Sequence, residues 1–152
     1  MLAAFTGPFL QKGSAVLCEQ GDWLSGWAWY LVDDELRWCI AGGHGACMAA
    51  ARIPTDARVL GAQGEITDGG LVVSLTADGV EIGRSDLGVS IPLAWSPDGA
   101  FLTVGYGRPF PVSEDYEPPA TAPASLLDVE ITVGPRPPLD LEAELARILR
   151  HQ

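Results

Sequence analysis

The chain has 152 residues, 47% of them hydrophobic, and its 9 Lys and Arg against 20 Asp and Glu give a net charge of −11. That length suits one domain with a full core, and that composition excludes a disordered chain. The few basic residues do not cluster, which argues against nucleic acid and against anionic membrane surfaces, since both need Lys and Arg beside phosphates. The opening, MLAAFTGPFLQKGS, has no basic stretch before its apolar residues and breaks at Gly7-Pro8, so it does not read as a secretory signal. No run approaches the roughly eighteen apolar residues of a spanning helix. Three cysteines, Cys18, Cys39 and Cys47, are an odd count. Together these lead us to expect reduced thiols in a cytoplasmic protein.

A first strand is expected over Ala15–Gln20. The stretch GDWLSGWAWYLVDDELRW then holds four of the five tryptophans. Trp27, Trp29 and Leu31 alternate with Ala28, Tyr30 and Val32, and Leu36, Trp38 and Ile40 alternate with Glu35, Arg37 and Cys39. Period two means strands. A two-residue loop at Asp33-Asp34 places Leu31 opposite Leu36, Trp29 opposite Trp38 and Trp27 opposite Ile40. All six large apolar side chains then share one sheet face, while Tyr30 and Arg37 pair on the other. A one-residue slip would flip a strand's faces and scramble this pattern. The tryptophans therefore read as core. A ligand platform is the other reading, and for that role Trp23, outside the strand, is the better exposed aromatic.

Residues Ala46–Ile53 have helical propensity but turn-rich flanks, and strand is preferred. Another strand is expected over Arg58–Ile66. In LVVSLTADGVEIGR the Asp78-Gly79 pair is a hairpin turn. It puts Ala77 opposite Val80, Leu75 opposite Ile82 and Val73 opposite Arg84, with Leu71, Val73, Leu75, Ala77, Val80 and Ile82 on one face. Strands over Leu87–Leu93 and Phe101–Tyr106 follow, separated by a turn at Trp95–Ala100. Residues 106–125 hold five of the twelve prolines and read as a long irregular loop. A last strand is expected over Leu126–Val133.

Short strands at such spacing predict an all-β, antiparallel jelly-roll sandwich over residues 1–134. Residues 135–138 form a Pro-rich linker. Residues 139–152 read as a short C-terminal α-helix, with Asp140 as its cap and Arg147 and Arg150 near its negative end. Leu141, Leu145, Ile148 and Leu149 form its apolar stripe. So short a helix is marginal alone, so the stripe needs a surface. That surface is the domain's own sheet, a second copy in a homo-oligomer, or a protein partner.

Few motifs carry chemistry. Cys39, His44 and Cys47 have a C-x4-H-x2-C spacing but lack a fourth zinc ligand nearby. GGHGAC and VGYGRP are glycine-rich without the P-loop lysine or a surrounding βαβ unit. Glu114, Asp115 and Glu117 lie close together in the proline loop. They read as solvated charge, or, with ligands from another loop, as a calcium site. Trp23 and Tyr116 are the candidate ligand-binding aromatics if a concave groove presents them.

Several stretches resemble a known family. SAVLCEQGDWLSGWAWYLVDDELRWCI is similar to the opening strands of laminin-G and concanavalin A-like sandwiches, and LVVSLTADGVEIGR to their later hairpin. VGYGRPFPVSEDYEPP followed by LLDVEITV resembles the carboxy-terminal domain of bacterial arylsulfatases, through Gly105, Pro111, Val112, Ser113, Asp115, Tyr116, Pro119, Val129 and Ile131. The likeness spans roughly Ser14 to Val133. No cysteine begins the C/S-x-P-S-R motif from which sulfatases make formylglycine, and the catalytic α/β domain is missing. What the resemblance implies is therefore a fold and a non-catalytic accessory or interaction role. A lectin-like module binding a carbohydrate or small ligand is the alternative, and an enzyme with an unrecognised site the third.

Overall fold

The computed structural model describes residues 1–7, 12–42, 45–89 and 101–134. The expected linker over 135–138 and helix over 139–152, with Leu141, Leu145, Ile148 and Leu149, lie outside the described residues. So do His44, the Trp95–Ala100 turn and residues 90–93. Ten strands are present: β1 (Leu2–Phe5), β2 (Ser14–Gly21), β3 (Gly26–Val32), β4 (Glu35–Gly42), β5 (Gly45–Arg52), β6 (Val59–Thr67), β7 (Gly70–Ala77), β8 (Val80–Asp86), β9 (Leu102–Val104) and β10 (Leu126–Glu130). They form two antiparallel five-stranded sheets, ordered β10-β1-β6-β7-β8 (sheet A) and β5-β4-β3-β2-β9 (sheet B). Among the described residues there is no helix.

The two sheets face one another across a shared core. Sheet B supplies Leu17, Trp29, Leu31, Leu36 and Trp38, and sheet A supplies Phe5, Leu60, Leu71, Val73 and Leu75. The tryptophan hairpin has the register its sequence dictates, with Trp29 opposite Trp38, Leu31 opposite Leu36 and Trp27 opposite Ile40. Trp29 is fully buried, Trp38 buried and Trp27 partly buried against the same core. Asp33 takes a positive φ of 50° in the turn, which Asp tolerates better than most residues, and its carboxylate accepts the Gly13 N–H at 2.8 Å. The stretch with helical propensity is strand β5, paired along its length with β4.

Sheet A departs from expectation in four places. Residues Leu2–Phe5 form the unforeseen β1 between β6 and β10, where Ala3 and Phe5 point into the core. The second hairpin turns at Asp78-Gly79, with φ of 48° and 80°, but a bulge interrupts it. Leu75 pairs with Gly83 rather than Ile82, and Val73 with Ser85 rather than Arg84. Val80 keeps its expected pairing with Ala77 but is 67% exposed, while Ile82, at the bulge, packs against the core. Third, β8 continues to Asp86, and residues 87–89 are not a strand, although Leu87 and Val89 still bond to Leu71. Last, β10 ends at Glu130, short of the expected Val133.

The bulge has a steric reason. It turns Gly83 toward sheet B, where a Cβ on that residue would lie 2.7 Å from the Ala51 Cβ. Only glycine lets β8 come this close to β5, and this contact closes one lateral side of the fold. At the opposite side, β9 and β10 are the outermost strands of their sheets. Sheet B differs from expectation here, since β9 has three residues rather than the six expected over Phe101–Tyr106.

Two substitutions test this packing. Trp29→Ala removes a fully buried indole, and its expected cost is about 3–5 kcal/mol in denaturant unfolding. Gly83→Ala should cost about 1–3 kcal/mol through overpacking against Ala51. Adding Ala51→Gly should recover part of that loss, and purely additive effects would show that the two backbones are not in steric conflict.

Candidate functional site

The proline loop is not a free excursion. It lies across the outer face of sheet B. Gly105 donates its N–H to the Leu17 carbonyl at 2.9 Å, and the Gly105 carbonyl accepts from Ala122 at 2.8 Å. Val16 donates to the Ala120 carbonyl at 2.9 Å. Between these anchors Val112 and Tyr116 press onto Val16, Ala28, Tyr30, Cys39 and Ala41, forming a second buried cluster. The Tyr30 and Tyr116 rings are tilted at 56° with centroids 5.0 Å apart, within the range of favourable aromatic pairs.

Two carboxylates fasten the loop. Glu19, on β2, has no exposed surface. One oxygen accepts the Tyr116 hydroxyl at 2.5 Å, and the other accepts the Arg108 backbone N–H. The Tyr116 oxygen in turn accepts the Val112 N–H at 3.2 Å. Burial pushes the Glu19 carboxyl above its usual range, and the bonds from Tyr116 and Arg108 only partly offset this. Asp115 is the second fastening. It accepts the Tyr30 hydroxyl at 2.5 Å and the Arg37 guanidinium at 3.1 Å. Burial works against its charge too, but the bonds from Tyr30, Arg37 and Ser113 prevail and hold it below the usual carboxylate range. Arg37 also binds Glu35 at 2.7 Å, and Ser113 lies 3.1 Å from the Tyr30 hydroxyl.

These positions correct one reading of the sequence and bear on another. Tyr116 is not a surface aromatic: it is buried beneath its own loop, with its hydroxyl bonded to Glu19. Glu114, Asp115 and Glu117 are not brought together with one another among the described residues. Asp115 turns inward to Tyr30 and Arg37, Glu114 and Glu117 are exposed, and the described residues hold no group of three His, Cys, Asp or Glu side chains placed to share a metal. Cys39 and Cys47 lie on opposite faces of sheet B, one in the outer cluster and one against the inner core. Burial pushes both Cys18 and Cys39 up to about 12, which makes them poor nucleophiles at neutral pH.

Trp23 is exposed, as its place outside the strand implies. It is 60% accessible beside the half-exposed Leu24 in the β2–β3 turn, which Asp22 braces by accepting the Leu24 and Ser25 N–H groups at 2.8 and 3.2 Å. The outer face of sheet A carries a shallow polar groove of about 180 Å³ that includes Gln63, Glu65, Ser74, Thr76, Glu81 and Arg84. Sequence reasoning passed over Glu19, Tyr30 and Arg37 as functional positions. The available signal was Glu19, a lone charge in the apolar strand SAVLCEQG.

The clamp makes a pH-dependent prediction. The folded state holds the Glu19 proton more tightly than an unfolded carboxyl with its ordinary value of 4.5. As pH rises from about 4.5 through the higher folded value, stability falls, and above that window the contribution is constant. Asp115 has the opposite sign: its contribution is present above the ordinary 3.8 and is lost as pH falls through the lower folded value. The melting temperature of Glu19→Gln relative to wild type should therefore rise between about pH 4 and pH 7. Asp115→Asn should cost most at neutral pH and least in acid. A pH-independent Glu19→Gln difference would mean that burial does not govern this carboxyl.

No family model, no curated protein and no solved structure matches this chain.

Proposed function

We propose that this chain is a non-catalytic accessory or interaction module, a concanavalin A-like jelly-roll domain of the kind that closes bacterial arylsulfatases, without the sulfatase catalytic domain. The observation that carries this reading is the direction in which the motif residues point. Val112, Ser113, Asp115 and Tyr116 bear the most specific part of the resemblance, and all four are engaged in holding the loop onto sheet B. A motif used this way is a signature of a fold rather than of a reaction. The crossings from β1 to β2, β5 to β6, β8 to β9 and β9 to β10 pass between the sheets, which supports a jelly-roll winding. A cytoplasmic location belongs to the same reading and is supported by three free thiols.

The second reading is a lectin-like module. The polar groove on sheet A favours it, because side-chain amide, hydroxyl and charged groups there could bind a neutral or cationic ligand. No aromatic side chain lines that groove, so the sugar-stacking surface common in such sites is missing from it.

Two measurements separate the readings. The purified protein is expected to release no phenol from an aryl sulfate. Turnover that survives replacement of Cys18, Cys39 and Cys47 by serine would overturn the non-catalytic reading. Titration with neutral saccharides, followed by amide NMR, is expected to leave Gln63, Ser74 and Thr76 unmoved. Saturable shifts at those residues would favour the lectin-like reading instead.

A further inference from the structure

The fastening of the proline loop has one neighbour that it does not use, a sulfur. Met48 lies on the edge strand β5 opposite Cys39, on the outer face of sheet B. Its side chain reaches past β4, and its Sδ lies 3.4 Å from the Tyr30 hydroxyl on β3. The same hydroxyl faces Asp115 Oδ2 at 2.5 Å and Ser113 Oγ at 3.1 Å. It has one proton to give, and the Asp115 carboxylate, nearest and charged, takes it. A thioether is too weak an acceptor to compete. Tyr30 has no exposed surface, whereas Met48 is 42% exposed. Met48 is thus a solvent-accessible residue in direct contact with the buried hydroxyl that fastens the loop.

We propose that Met48 is an oxidation site, and that its sulfoxide loosens the proline loop by taking the Tyr30 hydroxyl away from Asp115. The oxidant is a peroxide. The thioether sulfur attacks one oxygen of hydrogen peroxide; the O–O bond breaks and a sulfur–oxygen bond forms. Sulfur gives up two electrons, and the proton on the transferred oxygen leaves with the departing hydroxide as water. The product is a polar side chain with a strong acceptor in place of a weak one. An oxygen on that sulfur stands within hydrogen-bonding reach of Tyr30, whose single proton cannot serve two acceptors. Asp115 then keeps Arg37 but loses Tyr30. The Glu19 bonds to Tyr116 and Arg108 are untouched, so the loop slackens around Ser113–Asp115 and stays attached elsewhere. The other sulfurs are poorer targets. Met1, the second of two methionines, packs partly buried against the inner core, with its Sδ 3.9 Å from Cys18 Sγ. Peroxide attacks thiols as thiolates, and burial pushes Cys18 and Cys39 up to about 12. Cys47 packs against the inner core.

The test uses the full chain and hydrogen peroxide, in wild type and in Met48→Leu. Peptide mass mapping should show one oxygen added at Met48 about tenfold faster than at Met1. Hydrogen exchange of the oxidised wild type should then speed up by about tenfold at the Asp115 amide, which bonds to Ser113 Oγ. The Ala120 and Ala122 amides, bonded to the Glu117 and Gly105 carbonyls, should keep their rates. Met48→Leu, given the same peroxide, should show no change at Asp115. Oxidation of Met48 no faster than of Met1 would overturn the proposal. So would complete oxidation of Met48 with exchange at Asp115 unaltered. Faster exchange that appears equally in treated Met48→Leu would place the effect on a cysteine and overturn it as well.

Discussion

A single β-bulge in β2 determines what sheet B can do. Val16 pairs with Tyr30 and Cys18 with Trp29, so Leu17 is the extra residue. Both Leu17 and Cys18 then enter the inner core, and the residue after them falls on the outer face. That residue is Glu19, paired with Ala28. Strict alternation from Ala15 and Leu17 would have sent Glu19 into the apolar core between the sheets, away from Tyr116 and the Arg108 N–H. The bulge delivers the carboxylate to the side where Tyr116 and the Arg108 N–H await it. A buried carboxylate without such partners costs several kcal/mol or takes up a proton. The bulge, the buried charge and the loop are therefore one arrangement: removing any of them leaves the other two without a reason.

The consequence is a sheet buried on both faces. The inner face packs on sheet A through Trp29, Leu31, Leu36 and Trp38. The outer face packs under the loop through Ala28, Tyr30, Cys39 and Ala41. This explains why the segments GWAWYLV and LRWCIAG have few charged residues, whereas β7 alternates cleanly as LVVSLTA. Among the described residues no loop lies over the outer face of sheet A, and Ser74, Thr76 and Glu65 reach the surface there. The asymmetry in sequence pattern between the two hairpins follows from what covers each sheet.

What could be read from the sequence was what local periodicity controls. The tryptophan register was legible because a slip would have exposed three indoles, and the Asp78-Gly79 turn because both residues accept positive φ. The bulge at Ile82 was not legible, since its cause is the approach of Ala51 from the other sheet. Strand β1 is four residues long, too short for a period to emerge, and it exists because β6 and β10 flank it. Tyr116 was misplaced for the same kind of reason. Its partner Glu19 is 97 residues away in the chain, and nothing in SEDYEPP distinguishes a tyrosine facing solvent from one facing a buried carboxylate.

The loop's prolines fit the task of covering a sheet without extending it. A segment lying across a β-face cannot join the ladder, so each of its backbone N–H groups needs another partner or water. Pro109, Pro111, Pro118, Pro119 and Pro123 bring no N–H and hence no such demand. They also restrict the unfolded chain, which lowers the entropy lost when the loop settles. Several of the remaining donors bond within the loop or to the sheet: Arg108 to Glu19, Val112 to Tyr116, Asp115 to Ser113, Ala120 to Glu117 and Ala122 to Gly105. A long loop rich in proline usually suggests either function or tolerance of insertion. Here its composition answers a narrower requirement, that of a cover with fewer backbone donors to satisfy, fastened to the sheet beneath through Glu19, Tyr30, Arg37 and the Val16 N–H.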